Sequence, residues 1–297
     1  MTQQTDILCI GSVLWDIIGR SDRHMRQGSD MPGRINRLPG GVALNIAMTL
    51  ARFGLRPALL SAVGRDPEGD ELVLACEGLG LNTSFLYRSQ DLPTDRYMAV
   101  EGANGLVAAI ADAHSLEQAG ARILHPLLDG RLGTENNRFD GTIALDGNLT
   151  WTLLDHIAGD DRFAHADLRV APASPGKAER LLPFLRHGRA VLYVNLEEAG
   201  LLCQCEFNEA AKAAEGLLAR GAARVLVTNG GETACEGSAE GVIELTPPEV
   251  LVTRVTGAGD TFMAAHIAAE VRGMGRREAL ERALKAAADY VSGGSGL

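Results

Sequence analysis

The sequence is poor in aromatic residues and has no excess of positive charge. Phe, Trp and Tyr together make up 4% of the 297 residues, and the formal net charge is −10 at pH 7. Nucleic-acid binders neutralise phosphates with basic patches, so this charge balance argues against a nucleic-acid partner. It does not exclude a small anionic ligand that is bound at one local site.

Two common nucleotide-binding signatures are also missing. No Gly-Lys-Ser or Gly-Lys-Thr occurs in the chain, which excludes a Walker A phosphate loop. The Gly-x-Gly-x-x-Gly motif of dinucleotide-binding proteins fails at Gly257 and Gly259, because Phe262 stands where the third glycine is needed. A phosphate site in this chain must therefore be built in another way.

Long hydrophobic runs and an export signal are absent as well. No stretch of about 18 apolar residues could span a membrane, and residues 1–13 lack the basic and apolar segments of a signal peptide. The five cysteines are odd in number and irregularly spaced, which favours free thiols in a reducing compartment. Cys203 and Cys205 have no second pair and no nearby His, so we interpret them as structural. We expect a cytoplasmic protein without a membrane partner.

Strand-like and helix-like segments alternate along most of the chain. Apolar, β-rich runs that predict strands lie at 6–13, 56–64, 142–148, 190–195 and 224–230. Patterns that predict helices lie at 41–54, 66–80, 208–220 and, on both sides of a break near 273–275, in the last 35 residues. This alternation predicts an α/β protein with a mostly parallel sheet. Ligands of such sheets bind beyond the carboxyl ends of the strands.

Two segments interrupt the alternation. Residues 14–38 are polar and turn-rich, and residues 94–111 resemble a β-hairpin with Asn104-Gly105 at the turn. An extra hairpin on such a fold could extend the edge of the sheet or cover a ligand as a lid.

The stretch 256–260, Thr-Gly-Ala-Gly-Asp, lies between a β-branched run and an apolar helix pattern. Small residues let backbone N–H groups approach an anion, and the start of the helix adds partial positive charge. Such an anion hole stabilises the charge on a phosphoryl group in transfer. The Asp260 carboxylate, in the first turn, can accept a proton from an attacking hydroxyl. The alternative interpretation is an Asp that caps the helix in a tight turn.

A second cluster combines Gly40, Gly41, Asn45 and Asp16. The two glycines precede a helix, and Asn45 lies in its first turns among apolar neighbours. A buried amide needs a partner, which could be a ligand hydroxyl or a loop carbonyl. Asp16 follows the first strand and can accept hydrogen bonds from two neighbouring sugar hydroxyls, although a solvated loop carboxylate is the alternative.

Two further clusters end strands and could bind a cation or a phosphate. Asn195 and Glu198 suit a hydrated Mg²⁺ that is held by few protein groups, with helix capping as the alternative. Thr228 and Gly230 lie in a glycine-rich turn that allows the close approach of a phosphate or a ribose, with a plain hairpin turn as the alternative.

In this order, the clusters resemble the ribokinase-like (PfkB-type) family of sugar and nucleoside kinases over essentially the full length. The stretches that carry the resemblance are Asp16, 40–45 (GGVALN), 63–70 (VGRDPEGD), Asn195 with Glu198, and 256–262 (TGAGDTF). The resemblance implies a three-layer αβα fold whose mostly parallel sheet has roughly nine strands. It also implies one kinase domain over 1–297 and a small β lid, inserted at approximately 14–38 and 94–111.

The resemblance further implies an activity and a set of site residues. The reaction is phosphorylation of a hydroxymethyl group with ATP and Mg²⁺, and K⁺ stays open as an additional ion. The catalytic residues are Asp260 as the base and Gly257, Ala258 and Gly259 as the anion hole. The residues implied to bind the acceptor are Asp16, Gly40, Gly41, Asn45, Tyr97 and Asn148. The residues implied to bind the nucleotide are Thr228, Gly230, Thr256 and Gly257, with Asn195 and Glu198 for Mg²⁺.

The sequence also departs from the usual family pattern. Arg254-Val255-Thr256 replaces an Asp-Thr-Thr or Asp-Thr-Ser stretch, and 228–233 replaces a Thr-x-Gly-x-x-Gly stretch. The first departure speaks against the common ribokinase and fructokinase subgroups, and the second loosens the assignment of the nucleotide loop.

Local strings are similar to the pseudouridine kinase branch of the family. They lie at 93–112, 144–150, 171–181 and 255–260. They imply phosphorylation of the 5′-hydroxyl of a ribonucleoside, with pseudouridine as the leading candidate. We also expect a homodimer formed through the lid. The alternatives are another ribonucleoside or ribose kinase, and a nucleoside-binding protein without turnover.

Overall fold

Strands and helices alternate along the chain as the sequence predicts. The computed structural model describes residues 5–26, 28–134 and 136–294. Its strands are β1 (Ile7–Ile10), β2 (Leu14–Arg20), β3 (Arg34–Gly40), β4 (Pro57–Leu60), β5 (Ala62–Gly64), β6 (Tyr87–Ser89), β7 (Arg96–Gly102), β8 (Gly105–Asp112), β9 (Thr142–Asp146), β10 (Asp167–Ala171), β11 (Val191–Asn195), β12 (Arg224–Thr228), β13 (Ala234–Ser238) and β14 (Gly241–Leu245).

In the described part of the chain, seven helices lie between these strands, and two follow the last strand. They are α1 (Val42–Arg52), α2 (Pro67–Gly78), α3 (His114–Ala119), α4 (Trp151–Gly159), α5 (Leu182–His187), α6 (Leu196–Cys203), α7 (Ala210–Ala219), α8 (Ala258–Val271) and α9 (Arg276–Val291). Short 3-10 helices cover Gly120–Leu127, Asp161–Phe163 and Pro175–Leu181.

The central sheet is mostly parallel. Its order is β14-β13-β12-β11-β10-β9-β1-β4, which makes eight strands where roughly nine were expected. The pairs from β4 to β12 are all parallel, whereas β13 and β14 add to the far edge in antiparallel pairing. β1 and β4 are buried along their whole length, so both consist of uninterrupted apolar residues.

Helices cover both faces of the central sheet. Successive side chains of a strand point to opposite faces. Leu8 and Ile10 of β1 therefore join one apolar core, and Ile7 and Cys9 join the other. The first core is completed by side chains of α3 to α7, and the second by side chains of α1, α2, α8 and α9. This is the three-layer αβα arrangement that the sequence predicts.

A second sheet of four strands has the order β3-β2-β7-β8. β2 pairs antiparallel with β3 and parallel with β7, and β7 pairs antiparallel with β8. The two segments predicted as lid segments, 14–38 and 94–111, supply these strands. The sequence predicts the first segment only as polar and turn-rich. It forms strands because β2 pairs with β7, a partner that is remote in the sequence.

Two details of the predicted elements are wrong. The run 56–64 is two strands, because the chain leaves β1 after β4 and β5 pairs instead with β6. The hairpin turn is at Ala103-Asn104 rather than at Asn104-Gly105, because Gly105 pairs with Gly102 at the end of the ladder.

No helix among the described residues is long and apolar enough to cross a membrane. The fold instead gathers the ends of separate strands. β1, β9, β11 and β12 are parallel neighbours or near neighbours, so their carboxyl ends lie along one edge. We call this edge, with the loops that leave these four strands, the carboxyl edge of the central sheet.

Candidate active site

A buried carboxylate holds the carboxyl edge together. Asp146 ends β9 and is fully buried. Its carboxylate accepts hydrogen bonds from the N–H and hydroxyl groups of Ser12 after β1, with the N–H at 2.8 Å, and from the N–H of Ala43 in α1 at 3.3 Å. It also accepts bonds from the backbone N–H (2.7 Å) and the side-chain amide (3.3 Å) of Asn148. One side chain therefore fixes two strand ends and the start of a helix.

The predicted glycine pair is needed for close packing at this point. Gly40 passes the carboxylate of Asp16 so closely that a Cβ would lie 2.1 Å from one of its oxygens. Gly41 has φ +101°, and a Cβ there would lie 2.5 Å from the carbonyl oxygen of Ser12. Both positions exclude any larger residue, which explains why two glycines precede α1. Their contribution to acceptor binding stays a prediction.

Asp260 meets Asn45 at the start of α8. Gly257 is the N-cap of this helix, with φ +88°, so Asp260 is the third helical residue and not the cap. The amide of Asn45 donates a hydrogen bond of 2.9 Å to the Asp260 carboxylate. The alternative interpretations of both residues, a capping Asp and an amide bound to a loop carbonyl, are therefore wrong. Asn45 and Asp260, which belong to separate predicted clusters, are therefore hydrogen-bonded to each other.

Electrostatics keeps the Asp260 carboxylate close to its titration point at neutral pH. Burial raises its pKa to about 7, although the hydrogen bond from Asn45 lowers it. The neighbouring carboxylates of Asp146, Asp16 and Glu198 raise it further, because like charges disfavour ionisation. A carboxylate with such a pKa suits a general base that works near neutral pH.

The first turn of α8 offers backbone donors beside this carboxylate. Helix geometry leaves the N–H groups of Gly259 and Asp260 without an intrahelical carbonyl, and a side chain at Gly259 would enter open space. The N–H of Ala258 instead donates to the carbonyl of Val255 at 3.0 Å. Of the predicted anion-hole residues, Ala258 thus has its N–H occupied, and Gly259 presents an open approach.

Asn195 and Glu198 form a capping box at the start of α6. Asn195 Oδ1 accepts a hydrogen bond from the N–H of Glu198 (2.8 Å), and Glu198 Oε2 accepts one from the N–H of Asn195 (2.9 Å). The capping interpretation is therefore realised. Glu198 is nevertheless buried, and burial raises its pKa to about 7 despite the bond from Asn195. A nearby cation would favour the charged form of such a carboxylate.

The described residues contain no group of three or more His, Cys, Asp and Glu side chains that could hold a metal ion by themselves. Mg²⁺ would then need other ligands, such as water or the phosphates of a nucleotide, besides Glu198. The residues fit an ion of this kind but do not form a closed metal site.

Two of the predicted nucleotide residues lie beside this capping box, whereas Thr256 and Gly257 lie at the start of α8. Thr228 ends β12 and pairs with Asn195 of β11. Gly230 follows in an exposed turn with φ +57°, and a Cβ there would touch nothing within 4 Å. The turn also joins two antiparallel strands, so the hairpin interpretation is correct as a description of the backbone.

The predicted acceptor residues fall into two groups. Asp16 lies opposite Tyr97 across β2 and β7, and burial raises the pKa of Asp16 to about 6. Asn148 uses its amide for Ser12 and Asp146, and its oxygen accepts a bond from Lys177. Asn148 is thus built into the network of Asp146, whereas Asp16 and Tyr97 belong to the four-stranded sheet.

Sequence reasoning missed Ser12, Asp146 and Lys177. Ser12 and Asp146 lie near the ends of the predicted strands 6–13 and 142–148, which is a usable signal, but nothing in the sequence shows that they bond to each other. Lys177 lies in a string that was noted only for its likeness to one family branch.

Comparison with known proteins gives four further findings. A model described as pfkB family carbohydrate kinase matches residues 4–295. An uncharacterized sugar kinase of Escherichia coli (strain K12) is 28% identical over 302 aligned residues, which cover 99% of this chain and 80% of that protein. The pseudouridine kinase of the same strain is 27% identical over 278 residues, or 92% of this chain and 86% of that protein. The ribokinase structure from Thermotoga maritima shares the fold, with a TM-score of 0.78 and 23% identity over 97% of this chain and 93% of that chain.

We predict that Asp146→Ala destabilises the protein strongly. Buried donors of Ser12 and Ala43 and half-buried donors of Asn148 lose their acceptor, and each unpaired buried group costs about 1–3 kcal/mol. The free energy of unfolding, measured by urea denaturation, should fall by at least about 3 kcal/mol. Asp155→Ala on α4 is the control, because its carboxylate lies 3.4 Å from Arg186 in a solvent-accessible pair that contributes about 0–1 kcal/mol. Equal effects of the two substitutions would contradict the role of Asp146.

Proposed function

The chain belongs to the pfkB family of carbohydrate kinases, and from this premise we propose that it phosphorylates the 5′-hydroxyl of a ribonucleoside, with pseudouridine as the leading candidate. The predicted family and fold class are confirmed. The chain is thus an ATP-dependent phosphotransferase that acts on a hydroxyl group of a sugar or nucleoside. The identity of the acceptor and the roles of single residues are the proposal.

The observation that carries the proposal is the Asp260–Asn45 contact at the start of α8. The Asp260 carboxylate takes the proton of the acceptor hydroxyl while that oxygen attacks the γ-phosphorus of ATP, and ADP leaves as the bond from the γ-phosphorus to the bridging oxygen breaks. The Asn45 amide holds the carboxylate in place. The N–H groups of Gly259 and Asp260, with the positive end of α8, stabilise the negative charge on the transferring group.

The proposed nucleotide side combines two turns of the carboxyl edge. Thr228 and Gly230 would lie against the nucleotide, together with Thr256 and Gly257 at the start of α8. Asn195 and Glu198 would hold Mg²⁺ through water. The ion supplies positive charge to the phosphates when it is bound. The pKa of Glu198, raised by burial, supports a cation at this place.

Asp16 and Asn45 are the proposed contacts to the ring hydroxyls of the acceptor. Both lie close enough to Asp260 to bond with it or to raise its pKa, so a ring held by them would present its exocyclic hydroxyl to the base. Gly40 and Gly41 are the proposed backbone positions beside the ring, since Gly40 lets the Asp16 carboxylate lie against the chain, and Tyr97 lies opposite Asp16. Selection of the nucleobase would come from residues 94–112 and from the loop after Asp146, where Asn148 lies.

The pseudouridine assignment rests on short strings and on one relative. The pseudouridine kinase of Escherichia coli matches most of this chain, but so does a sugar kinase. A ribose or other ribonucleoside kinase is therefore the second candidate. A nucleoside-binding protein without turnover would have no need for a base at Asp260 or for the small residues before it.

The homodimer is also part of the proposal. Ile17, Met98 and Ile110 are successive partners across β2, β7 and β8, so they form an apolar row on the four-stranded sheet. Ile110 is 61% exposed and Met98 is 45% exposed. The row lies on the face opposite to Asp16, because side chains alternate along β2. A second copy would cover it, and light scattering of Met98→Glu against the unchanged protein measures the loss of the dimer.

We predict that Asp260→Asn lowers kcat by about 10²–10⁴-fold, because the amide keeps the shape but cannot take a proton. The affinity for the acceptor should change little. A coupled assay of ADP release gives kcat, and calorimetry gives the affinity. Asp289→Asn is the control, since this residue lies on α9 and pairs with Lys285 in an exposed contact. Turnover of Asp260→Asn close to that of the unchanged enzyme would remove Asp260 from its role.

We predict that 2′-deoxy and 3′-deoxy acceptors lose about tenfold to a hundredfold in kcat/KM, since each leaves a buried polar group unpaired at about 1–3 kcal/mol. Asp16→Ala should abolish most of this discrimination. The kcat/KM for pseudouridine should be higher than the kcat/KM for uridine, ribose or adenosine. Equal values for pseudouridine and uridine would refute the substrate assignment and leave the kinase assignment intact.

A further inference from the structure

The segment that leads into the anion hole is tied to the end of the last helix. The N–H groups of Thr253 and Arg254 both donate to the carbonyl of Val291, at 2.8 and 3.2 Å. The hydroxyl of Thr253 donates to the same carbonyl at 3.0 Å. The C-terminal end of α9 therefore determines where residues 253–257 lie.

The guanidinium group of Arg254 caps this helix end. Its Nε donates to the carbonyl of Tyr290 (2.8 Å), and its Nη2 donates to the carbonyl of Gly294 (2.6 Å). The group also stacks on the Tyr290 ring, with 3.8 Å from Cζ to the ring centre. The last carbonyls of a helix have no intrahelical donor and carry partial negative charge. A cation is the natural partner for them, and the guanidinium group of Arg254 supplies it.

Tyr290 passes this restraint on to the start of α8. Its hydroxyl donates to the carbonyl of Thr256 at 3.0 Å. A Cβ at Gly257 would lie 2.6 Å from the same hydroxyl, so the N-cap residue of α8 packs directly on Tyr290. Arg254, Tyr290 and Gly257 thus form a continuous set of contacts from the end of α9 to the proposed anion hole.

We propose that Arg254 is a positioning residue that acts as a built-in cation of the anion hole, so that turnover needs no free monovalent cation. Without Arg254, the carbonyls of Tyr290 and Gly294 lose their cationic donor, although the Tyr290 carbonyl keeps the hydrogen bond from the N–H of Gly293 at 3.1 Å. The proposal rests on the proposed function, because it assigns the start of α8 to the transferring phosphoryl group. The enzyme would then not require K⁺, a point that the sequence alone does not decide.

The test removes the positive charge of Arg254 by substitution and then supplies a cation from solution. Arg254→Met keeps the length of the side chain but removes its charge and its donors, and Arg254→Lys keeps the charge without the planar fork. Arg277→Met is the matched control, because Arg277 is an exposed residue at the start of α9. Each protein is assayed with tetramethylammonium as the only added monovalent cation, and then with K⁺ or guanidinium chloride at equal ionic strength.

The unchanged enzyme and Arg277→Met should show the same kcat with and without K⁺. Arg254→Met should lose about a hundredfold in kcat, as expected for displaced catalytic groups, and K⁺ or guanidinium should restore at least tenfold of it. Arg254→Lys should lie between the two. A K⁺ requirement in the unchanged enzyme, full activity of Arg254→Met, or a loss that neither cation restores would each overturn the proposal.

A second measurement needs no acceptor and separates this proposal from the proposed function. The rise in melting temperature on adding ATP reports nucleotide binding. In the protein without substitution, K⁺ should not alter the rise in melting temperature caused by ATP. In Arg254→Met, K⁺ should make that rise larger. The same response to K⁺ in both proteins would contradict the role of Arg254. The absence of turnover with every acceptor would count against the proposed function alone.

Discussion

The carboxylate of Asp146 is the constraint on which the site depends. It is fully buried, and it gathers donors from Ser12, Ala43 and Asn148. These donors belong to the end of β1, the start of α1 and the loop after β9. The position of α1 then sets the position of Asn45, and Asn45 meets Asp260 on the opposite helix. The geometry of the proposed base is therefore fixed by a carboxylate that need not touch the acceptor.

Two carboxylates, one on α8 and one that faces this helix, have pKa values shifted in opposite directions. At the start of α8, Asp260 has an amide as its partner, and other carboxylates stand nearby, so burial raises its pKa to about 7. Further along the helix, His266 lies near Glu236 in a buried cluster. Burial would raise the pKa of Glu236, but His266, Arg276 and Arg224 together lower it to about 2. The Asp260 carboxyl can therefore exchange a proton near neutral pH, whereas the Glu236 carboxyl stays ionised.

The sequence predicts the layers of the fold well, because buried strands and amphipathic helices leave local patterns. Asp260 and the Gly-Ala-Gly turn could be singled out for the same reason. Contacts between remote residues leave no such pattern. Asn45 and Asp260 are 215 positions apart, and Ser12 and Asp146 are 134 apart. The strand β2 lies at the start of a segment that is polar overall, and its partner β7 is remote in the sequence, so the sequence does not reveal it. In the sequence, Arg254 is only a departure from a family pattern, because its carbonyl partners Tyr290 and Gly294 are remote along the chain.

The pH dependence of kcat/KM tests the central claim most directly, because this ratio reports the pKa of the base in the free enzyme. The base must be deprotonated, and its pKa is raised, so kcat/KM should fall below about pH 7, by about tenfold per unit. Asn45→Ala removes the bond that lowers this pKa, so the midpoint should move to higher pH. A midpoint near pH 4, the range of an ordinary Asp, or a midpoint that Asn45→Ala leaves unmoved, would contradict the account.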